Sequence, residues 1–459
     1  MSAPSDQNDR AILEVVTPRS GTVGEVLTLA APLIVSFVSF SLMGVVDTLV
    51  MGRVGTPEQG AVGLGGMLTW GLAVVFTATL TAVNTFVAQD YGAGNHHRVS
   101  SHVRTAAFLI PLFTVLVWAT IPLLPAMIRS LGSDPTVAPH ILAYMRIRIM
   151  GVPFLFINFT LTSFLRGLGD MRSPMVVTII ANIINAALTI WFVFGGWFVP
   201  ALGVKGAALG SLIGGICEAL MYLALYLGER RHQLYRTRSL GLPTLREIGR
   251  FLKVGMPIGF AWAFDMIAWM LFSIYASTLQ PAALAAHMII FQIIHFSFLP
   301  AAAVGVVGTT LVGQYLGAER VDLAKRSAWW TIRIGVGYMT LMGLTMALTR
   351  EHLIAVFNAD PAVVFIGGRL LLLAALFQPF DGIGMTITGA LRGAGDTRAP
   401  MLIMLGCATL IFMPGVYLLG IHLKYEIFGA WSAAVIYVIT LGILLLIRFL
   451  RGHWTRMKV

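Results

Sequence analysis

The sequence predicts an all-α polytopic membrane protein, with twelve transmembrane helices in two six-helix pseudo-symmetric lobes. Composition is the first observation behind this. The chain of 459 residues is 57% hydrophobic and 11% charged, where a soluble globular protein carries roughly 25% charged residues. The second is the length of the uncharged runs: 24 residues between Arg104 and Arg129, 32 between Arg172 and Lys205, and 53 between Asp265 and Glu319. About 20 apolar residues cross a bilayer, so these runs hold one, one and two spans. The third is a repeat, since "LRGLGDMRSPM" at 165–175 returns as "LRGAGDTRAPM" at 391–401, an offset of 226.

Residues 1–20 are polar, with Asp6, Asp9, Arg10, Glu14 and Arg19. They lack the basic-then-apolar order of a cleaved signal peptide, so the first helix, starting near Thr22, is expected to serve as the insertion signal. Breaking the apolar runs at Gly, Pro and charge predicts helices over 23–51, 60–88, 104–128, 136–165, 174–196, 203–228, 248–278, 282–312, 327–349, 362–391, 400–421 and 427–449. The connection between helices 6 and 7, "GERRHQLYRTRSLGLPTLREIGR", is the longest and most basic. Of 31 Lys and Arg, 22 fall on the tails, the even-numbered connections and the helix rims beside them. Five fall on the odd connections: Arg53, Arg129, Lys205, Arg350 and Lys424. That bias predicts a multi-pass protein of the cell (inner) membrane with both termini in the cytoplasm, and it accounts for the net charge of +11 without a nucleic-acid partner. Cys217 and Cys407 both lie in apolar runs and read as core residues rather than a disulfide or a metal site.

The repeat extends beyond the opening pair. "LGSDP" (131–135) aligns with "FNADP" (357–361), and "VAQDYGAG" (87–94) with "VGQYLGAE" (312–319), as Pro32 does with Pro257. The expected organisation is a cytoplasmic tail 1–21, an N-lobe 22–228, a cytoplasmic loop 229–247, a C-lobe 248–450 and a cytoplasmic tail 451–459. Six helices per unit is an even number, so both units enter from the same side, an arrangement typical of secondary transporters. The repeated motif reads as architecture. Gly167, Gly169, Gly393 and Gly395 suit a tight turn, Asp170 and Asp396 local capping or pairing, and Pro174 and Pro400 the first turn of the next helix.

Function is expected where the halves differ. Four acids sit inside spans: Asp47, Glu218, Asp265 and Asp381. A carboxylate in hydrocarbon costs about 3 kcal/mol on insertion scales, so each is a functional candidate. Asp47 maps by the repeat to Phe272, Asp265 to Phe40 and Asp381 to Leu155, so no structural need shared by both halves explains them. Asp265 lies in "GFAWAFDMIAWML" among Trp262, Phe264 and Trp269. Asp381 lies in "LFQPFDGIGMT" with Gln378 and Pro379 before it and Gly382 and Gly384 after it, which loosens the helix there. Arg369 is 12 residues away, about 18 Å along a helix, too far to meet Asp381 within helix 10. His287 and His295 on helix 8, eight residues apart, lie roughly on one face and with Gln292, as with Gln378 on helix 10, can line a cavity; polar packing is the plainer reading for the histidines, since no metal-ligand set surrounds them.

With these motifs in order and duplicated, the chain resembles the multidrug and toxic compound extrusion (MATE) transporters, bacterial type, from about residue 22 to 450. The resemblance rests on "APLIVSFVSFSLMGVVDTLVMGRVG", "VAQDYGAG", "FLRGLGDMRSPM", "LGVKGAALGSLI" and "ALRGAGDTRAPM". It implies two lobes forming a V around a central cavity. It also implies exchange of Na⁺ or H⁺ for small organic, often cationic, compounds, with no cofactor, no enzymatic activity and a monomeric protein. The family's C-lobe acids correspond to Asp265 and Asp381, and its N-lobe acid on helix 1 to Asp47. Two polar positions on helix 5 complete the N-lobe site and read here as Asn185 and Thr189, with Asn182 nearby; ordinary interhelical hydrogen bonds are the alternative for that pair. Some members carry an acid where this chain has Thr189. Its absence leaves one carboxylate plus neutral oxygens, adequate for a proton and thinner for a Na⁺ cage. Glu218 matches no family position, and pairing with a base or facing a wet crevice is its plainer reading.

The resemblance implies a coupling scheme. Burial disfavours the charged form of a carboxylate and a bound cation restores it, so a coupling ion and a cationic substrate compete for one negative site. The competing reading is a lipid-linked oligosaccharide or polysaccharide flippase of the same superfamily, which asks for a basic cavity where the candidates here are acidic. A channel or membrane enzyme lacks support, since no HExxH, GxSxG or Walker motif is present.

Overall fold

In hydrocarbon every backbone N–H and C=O has to be satisfied within the protein, which leaves apolar runs of this length the helix as their form. A computed structural model of the chain describes residues 20–130, 134–196, 199–239 and 241–457. Among the described residues eleven helices are long and apolar enough to cross a membrane, and a bent pair, taken as one span, brings the number to twelve. They are α1 (Val23–Gly52), α2 (Thr56–Gly92), α3 (His96–Ser130), α4 (Ala138–Met150 and Val152–Gly167), α5 (Arg172–Phe194), α6 (Val204–Leu227), α7 (Leu245–Ser277), α8 (Pro281–Gly317), α9 (Val321–Phe357), α10 (Pro361–Ala394), α11 (Arg398–His422) and α12 (Glu426–Leu450). Most of the expected tail 1–21, and Leu131, Gly132 and Ser133 of the "LGSDP" match, lie outside the described residues.

Several helices overrun the apolar runs that predict them, while α6 (Val204–Leu227) falls just inside its expected 203–228. The widest case is α9, expected over 327–349 and extending over Val321–Phe357. Apolarity marks the part of a helix that lies in hydrocarbon, while its hydrogen-bond ladder continues into the headgroup region. Two helices are interrupted for local reasons. α4 bends by 50° between Met150 and Val152, where Pro153 has no N–H to donate back into the first segment. α11 widens into π-helix over Ala408–Phe412 and Val416–His422, on either side of a short turn that contains Pro414.

The described chain forms two compact units that do not follow the linear halves at their edges. One holds α2 to α6 with α1 from Ala31 and α7 as far as Gly259; the other holds α8 to α12 with the start of α1 and the rest of α7. The helix starts explain the exchange. Gly255 and Gly259 of α7 lie where a Cβ would meet the Thr79 carbonyl oxygen at 2.8 Å and the Val75 carbonyl oxygen at 2.3 Å, so α7 begins in backbone contact with α2. At the start of α1, Glu25 accepts a hydrogen bond from the Tyr315 hydroxyl of α8. In one unit α6 packs on α5 and both parts of α4; in the other, α10 packs on α8, α9 and α12.

The repeated motif is architecture, and its two glycines do different work. Gly169 (φ 82) and Gly395 (φ 86) take the left-handed conformation that ends α4 and α10. Gly167 and Gly393 are places of close approach: a Cβ would lie 2.6 Å from Val87 Cγ1 at the first and 2.4 Å from the Thr309 carbonyl oxygen at the second. The aspartates pair as well as cap. Asp170 accepts from the Ser173 backbone N–H at 3.0 Å and pairs with Arg231 at 3.0 Å. Asp396, 4% exposed at its side chain, pairs with Arg448 at 2.8 Å. Removing one partner of a buried pair costs about 3–5 kcal/mol and of an exposed one under about 1 kcal/mol, and the Asp170 carboxylate, 30% exposed, falls between the two. Arg448→Met is therefore expected to lower the thermal midpoint of the detergent-purified protein much further than Arg231→Met. Equal midpoints for the two variants would show that burial of Asp396 does not set the strength of its pair.

Candidate functional site

Three glycines on one face of α6 position the first cluster. Gly206, Gly210 and Gly214 recur every four residues, and small residues at that spacing let two membrane helices approach closely. A Cβ at Gly206 would meet the Phe192 carbonyl oxygen at 2.4 Å, at Gly210 the Thr189 N at 2.7 Å, and at Gly214 the Asn185 Cβ at 2.9 Å. α5 is thus seated on α6 with Asn185 and Thr189 in the interface. From α1, Asp47 (7% exposed) reaches the same place. Thr189 Oγ1 donates to its Oδ1 at 3.4 Å, and Ser211 Oγ to its Oδ2 at 3.2 Å. Arg148 of α4 acts on Asp47 through its charge. Asn182 turns to α1 instead, donating to Ser39 Oγ at 2.7 Å. Asn185 is 1% exposed, and neither atom of its amide has a hydrogen-bond partner in the protein.

Glu218 is held on the same α6 face. Asn158 Nδ2 donates to its Oε2 at 2.9 Å and Thr178 Oγ1 to its Oε1 at 3.5 Å. Arg166, from the first copy of the repeated motif, acts on it electrostatically.

The second cluster lies in the other unit. Asp265 of α7 accepts from the Tyr437 hydroxyl of α12 at 3.2 Å, and its charge acts on Asp381 of α10. The π-helical stretch of α11 brings Phe412 onto the Tyr437 ring, with centroids 4.9 Å apart and planes at 13°. Trp269, one turn after Asp265, packs on Phe412 at 5.2 Å and on Phe291 at 5.3 Å. Both carboxylates are half-buried beside aromatic rings. Two carboxylates in one apolar setting repel each other, and a proton or a cation relieves that repulsion.

Of the remaining polar candidates, His287 adjoins the aromatic side of the second cluster through Phe291. His287 is fully buried, with Nε2 3.1 Å from Ser273 Oγ and its ring against Phe272, Phe291 and Trp431. Phe272 is the repeat counterpart of Asp47, so this unit carries an aromatic cluster where the other carries a carboxylate. Gln378 is also fully buried, its Nε2 3.3 Å from Met346 Sδ. Gln292 and His295 are exposed on α8, and Arg369 lies over the Phe365 ring of its own helix at 4.0 Å. Among the described residues no three His, Cys, Asp or Glu side chains come together as a metal-binding group.

The family model for MatE matches residues 32–191 and again 257–418, so two copies repeat at the spacing seen in the sequence. The chain belongs to the MatE family. Its curated MatE-family relatives include the "Probable multidrug resistance protein NorM" of Thermotoga maritima, 28% identical over 95% of this chain and 94% of that one. They also include "Multidrug resistance protein PmpM" of Pseudomonas aeruginosa, 29% identical over 93% and 91%. Among solved structures, a MATE protein in a bent conformation matches with a TM-score of 0.86 at 16% identity over 98% of both chains. An outward-facing multidrug resistance MATE transporter of the MOP superfamily matches with 0.85 at 17% over 100% of both. These likenesses establish the fold, and the family makes the chain a membrane transporter.

Several residues of these clusters do not emerge from the sequence, Thr178 beside Glu218 among them. Ser211 and Tyr437, the hydroxyl donors to Asp47 and Asp265, sit in apolar runs where such residues are common. Arg148 and Asn158 stand on α4, 101 and 60 residues from the carboxylates they face. The one visible signal is the glycine spacing of α6, which marks the face that Ser211 and Glu218 share.

Proposed function

We propose that this transporter is a secondary active multidrug efflux antiporter of the cell inner membrane. It exports organic cations in exchange for H⁺ or Na⁺ by alternating access, as a monomer with lobes 22–228 and 248–450 and both termini cytoplasmic. The observation that carries the reading is the placement of Asp47, Asp265 and Asp381. Each is a carboxylate inside a membrane span without a counterpart in the other half, and the charge of Asp265 acts on Asp381. Relatives named for multidrug resistance support drug efflux, and the cationic character of the substrate rests on the acids alone.

The clusters divide the work. Asp47, with two hydroxyl donors and a nearby guanidinium, is one carboxylate among neutral oxygens, which suits a proton and makes a thinner Na⁺ cage. Asp265 and Asp381, beside Trp269 and Tyr437, combine negative charge with ring faces, which suits a flat lipophilic cation or a monovalent ion. Binding of the coupling ion neutralises the charge that holds the substrate, so the two exchange.

The test uses purified protein in liposomes loaded with a cationic dye, with a pH gradient and a Na⁺ gradient imposed separately. Dye movement driven by one of them is the expected result. Movement that needs neither gradient would overturn the antiporter reading and favour the flippase.

A further inference from the structure

The α5–α6 seam that holds Asp47 continues to a second carboxylate. Glu218 lies seven residues beyond Ser211 on α6, about 10 Å along the axis and on the same face. Between them sits Asn185, packed on Gly214 and 1% exposed, with neither amide atom hydrogen-bonded to protein. Asn158 approaches from α4. Its Nδ2 donates to the Gly215 carbonyl oxygen at 3.2 Å and to Glu218 at 2.9 Å, while its own Oδ1 is buried without a protein partner. Beyond Glu218 the polar groups continue. Thr178 Oγ1 lies 3.3 Å from the Tyr222 hydroxyl, and Tyr222 donates to the Pro174 carbonyl oxygen at 3.3 Å, in the first turn of α5.

A seam between two membrane helices is ordinarily filled by small apolar side chains. Here three buried polar atoms without a protein partner, on Asn185 and Asn158, lie between two carboxylates. Buried polar groups of this kind are completed by water. Chains of water and amides conduct protons by exchanging O–H bonds, and each end of this chain is a group that holds a proton. The charged group facing Glu218 is Arg166 of α4, the titratable one is Tyr222 of α6, and α5 contributes the neutral Thr178.

We propose that the α5–α6 seam is a hydrated proton path, and that Glu218 is the relay through which Asp47 exchanges its proton with the membrane side bearing the basic 229–247 connection. The inference rests on Asp47 carrying a proton. In the transfer the Asp47 O–H bond breaks and its proton enters the water chain. An O–H bond forms on the Glu218 carboxylate, and Glu218 later releases that proton to bulk water beyond Tyr222. No electrons move and no other reactant is needed. Arg166 accompanies the Glu218 carboxylate while it is ionised, and Asn158 orients it.

The experiment measures dye transport in intact cells and in everted vesicles, varying the outer pH in each, for the wild type, Asp47→Asn, Glu218→Gln and Glu218→Asp. Glu218→Gln is expected to slow proton-driven transport roughly tenfold or more. It should also flatten the dependence on the pH of the everted face, leave that of the opposite face unchanged, and keep dye affinity in detergent. Glu218→Asp should restore the everted-face profile. A merely structural role for Glu218 would scale both profiles alike, and that result, or wild-type profiles in Glu218→Gln, would overturn the relay. Proton-driven transport that survives in Asp47→Asn would instead overturn the reading beneath it. Should Glu218→Gln not fold, Asn185→Leu removes the central amide and keeps both carboxylates. The same face-selective loss is expected from it, and intact profiles in that variant would overturn the path.

Discussion

Replacing Asp265 with Asn removes dye efflux while leaving a folded protein in the membrane. The side chains match in size, and the amide keeps an oxygen to accept from the Tyr437 hydroxyl, which lies 3.2 Å from Oδ1. What is lost is the negative charge that acts on Asp381 and attracts a cation. One charge moved across 100 mV is worth about 2.3 kcal/mol, roughly a fifty-fold accumulation, so a variant that no longer couples that charge forfeits a gradient of that order. The expected outcome is normal expression and thermal midpoint with no uphill dye transport, while Asp265→Glu retains a fraction of it. Full transport by Asp265→Asn in everted vesicles would remove Asp265 from the mechanism. Asp381→Asn should give the same phenotype, and the double variant should be no worse than either single one, since the two acids act as one site.

The fold was legible to the extent that single segments determine it. Apolar length located the crossings, and the duplicated "LRGxGD" showed how they group. Legibility ended where one segment depends on another. The 50° bend of α4 follows from Pro153, but many membrane helices absorb a proline with less distortion. At the bend Gly151 packs closely on α6, where a Cβ would stand 3.0 Å from Leu212 Cδ1, a contact between residues 61 positions apart. The regrouping of the starts of α1 and α7 was invisible for the same reason. The contacts of Gly255 and Gly259 with α2 join residues about 180 positions apart, and no local pattern announces them.

The acids stood out because a carboxylate in hydrocarbon is anomalous by itself, whatever surrounds it. Their partners are ordinary residues made special by position. Ser211 reads as a small residue among small residues until α1 is laid across it. Tyr437 reads as one more aromatic until α11 widens near Pro414 and presents Phe412 to its ring. Polarity without charge is a weaker signal: His287, for which the sequence already favours polar packing, and Gln378 are both fully buried, one among rings and the other against Met346. A neutral imidazole or amide is cheap enough to bury that its presence in a span says little about function. Glu218 lies between these cases, anomalous in the sequence and given a context only by Asn158, Thr178 and Arg166.

The α6 glycines yield the second large effect. Adding one methyl group at Gly210 is expected to damage transport more than stability. The new Cβ would lie 2.6 Å from Thr189 Oγ1, 2.7 Å from its N and 2.8 Å from its Cα. Two of those atoms belong to the backbone, so no rotamer change relieves the overlap and α5 must move away from α6 by roughly 1 Å. Overpacking of this kind costs about 1–3 kcal/mol, partly offset because Ala favours a helix over Gly by about 1 kcal/mol. The functional consequence is sharper. Thr189 Oγ1 already stands 3.4 Å from Asp47, near the outer limit of a hydrogen bond, and a shift of about 1 Å removes it. Gly210→Ala is therefore expected to keep a thermal midpoint within a few degrees of wild type while losing most proton-driven dye transport. Gly63→Ala, where nothing lies within 4 Å of the added Cβ, should be neutral in both measurements. Wild-type transport by Gly210→Ala would mean that the Thr189 contact with Asp47 is dispensable, and that the glycine row of α6 serves helix packing alone.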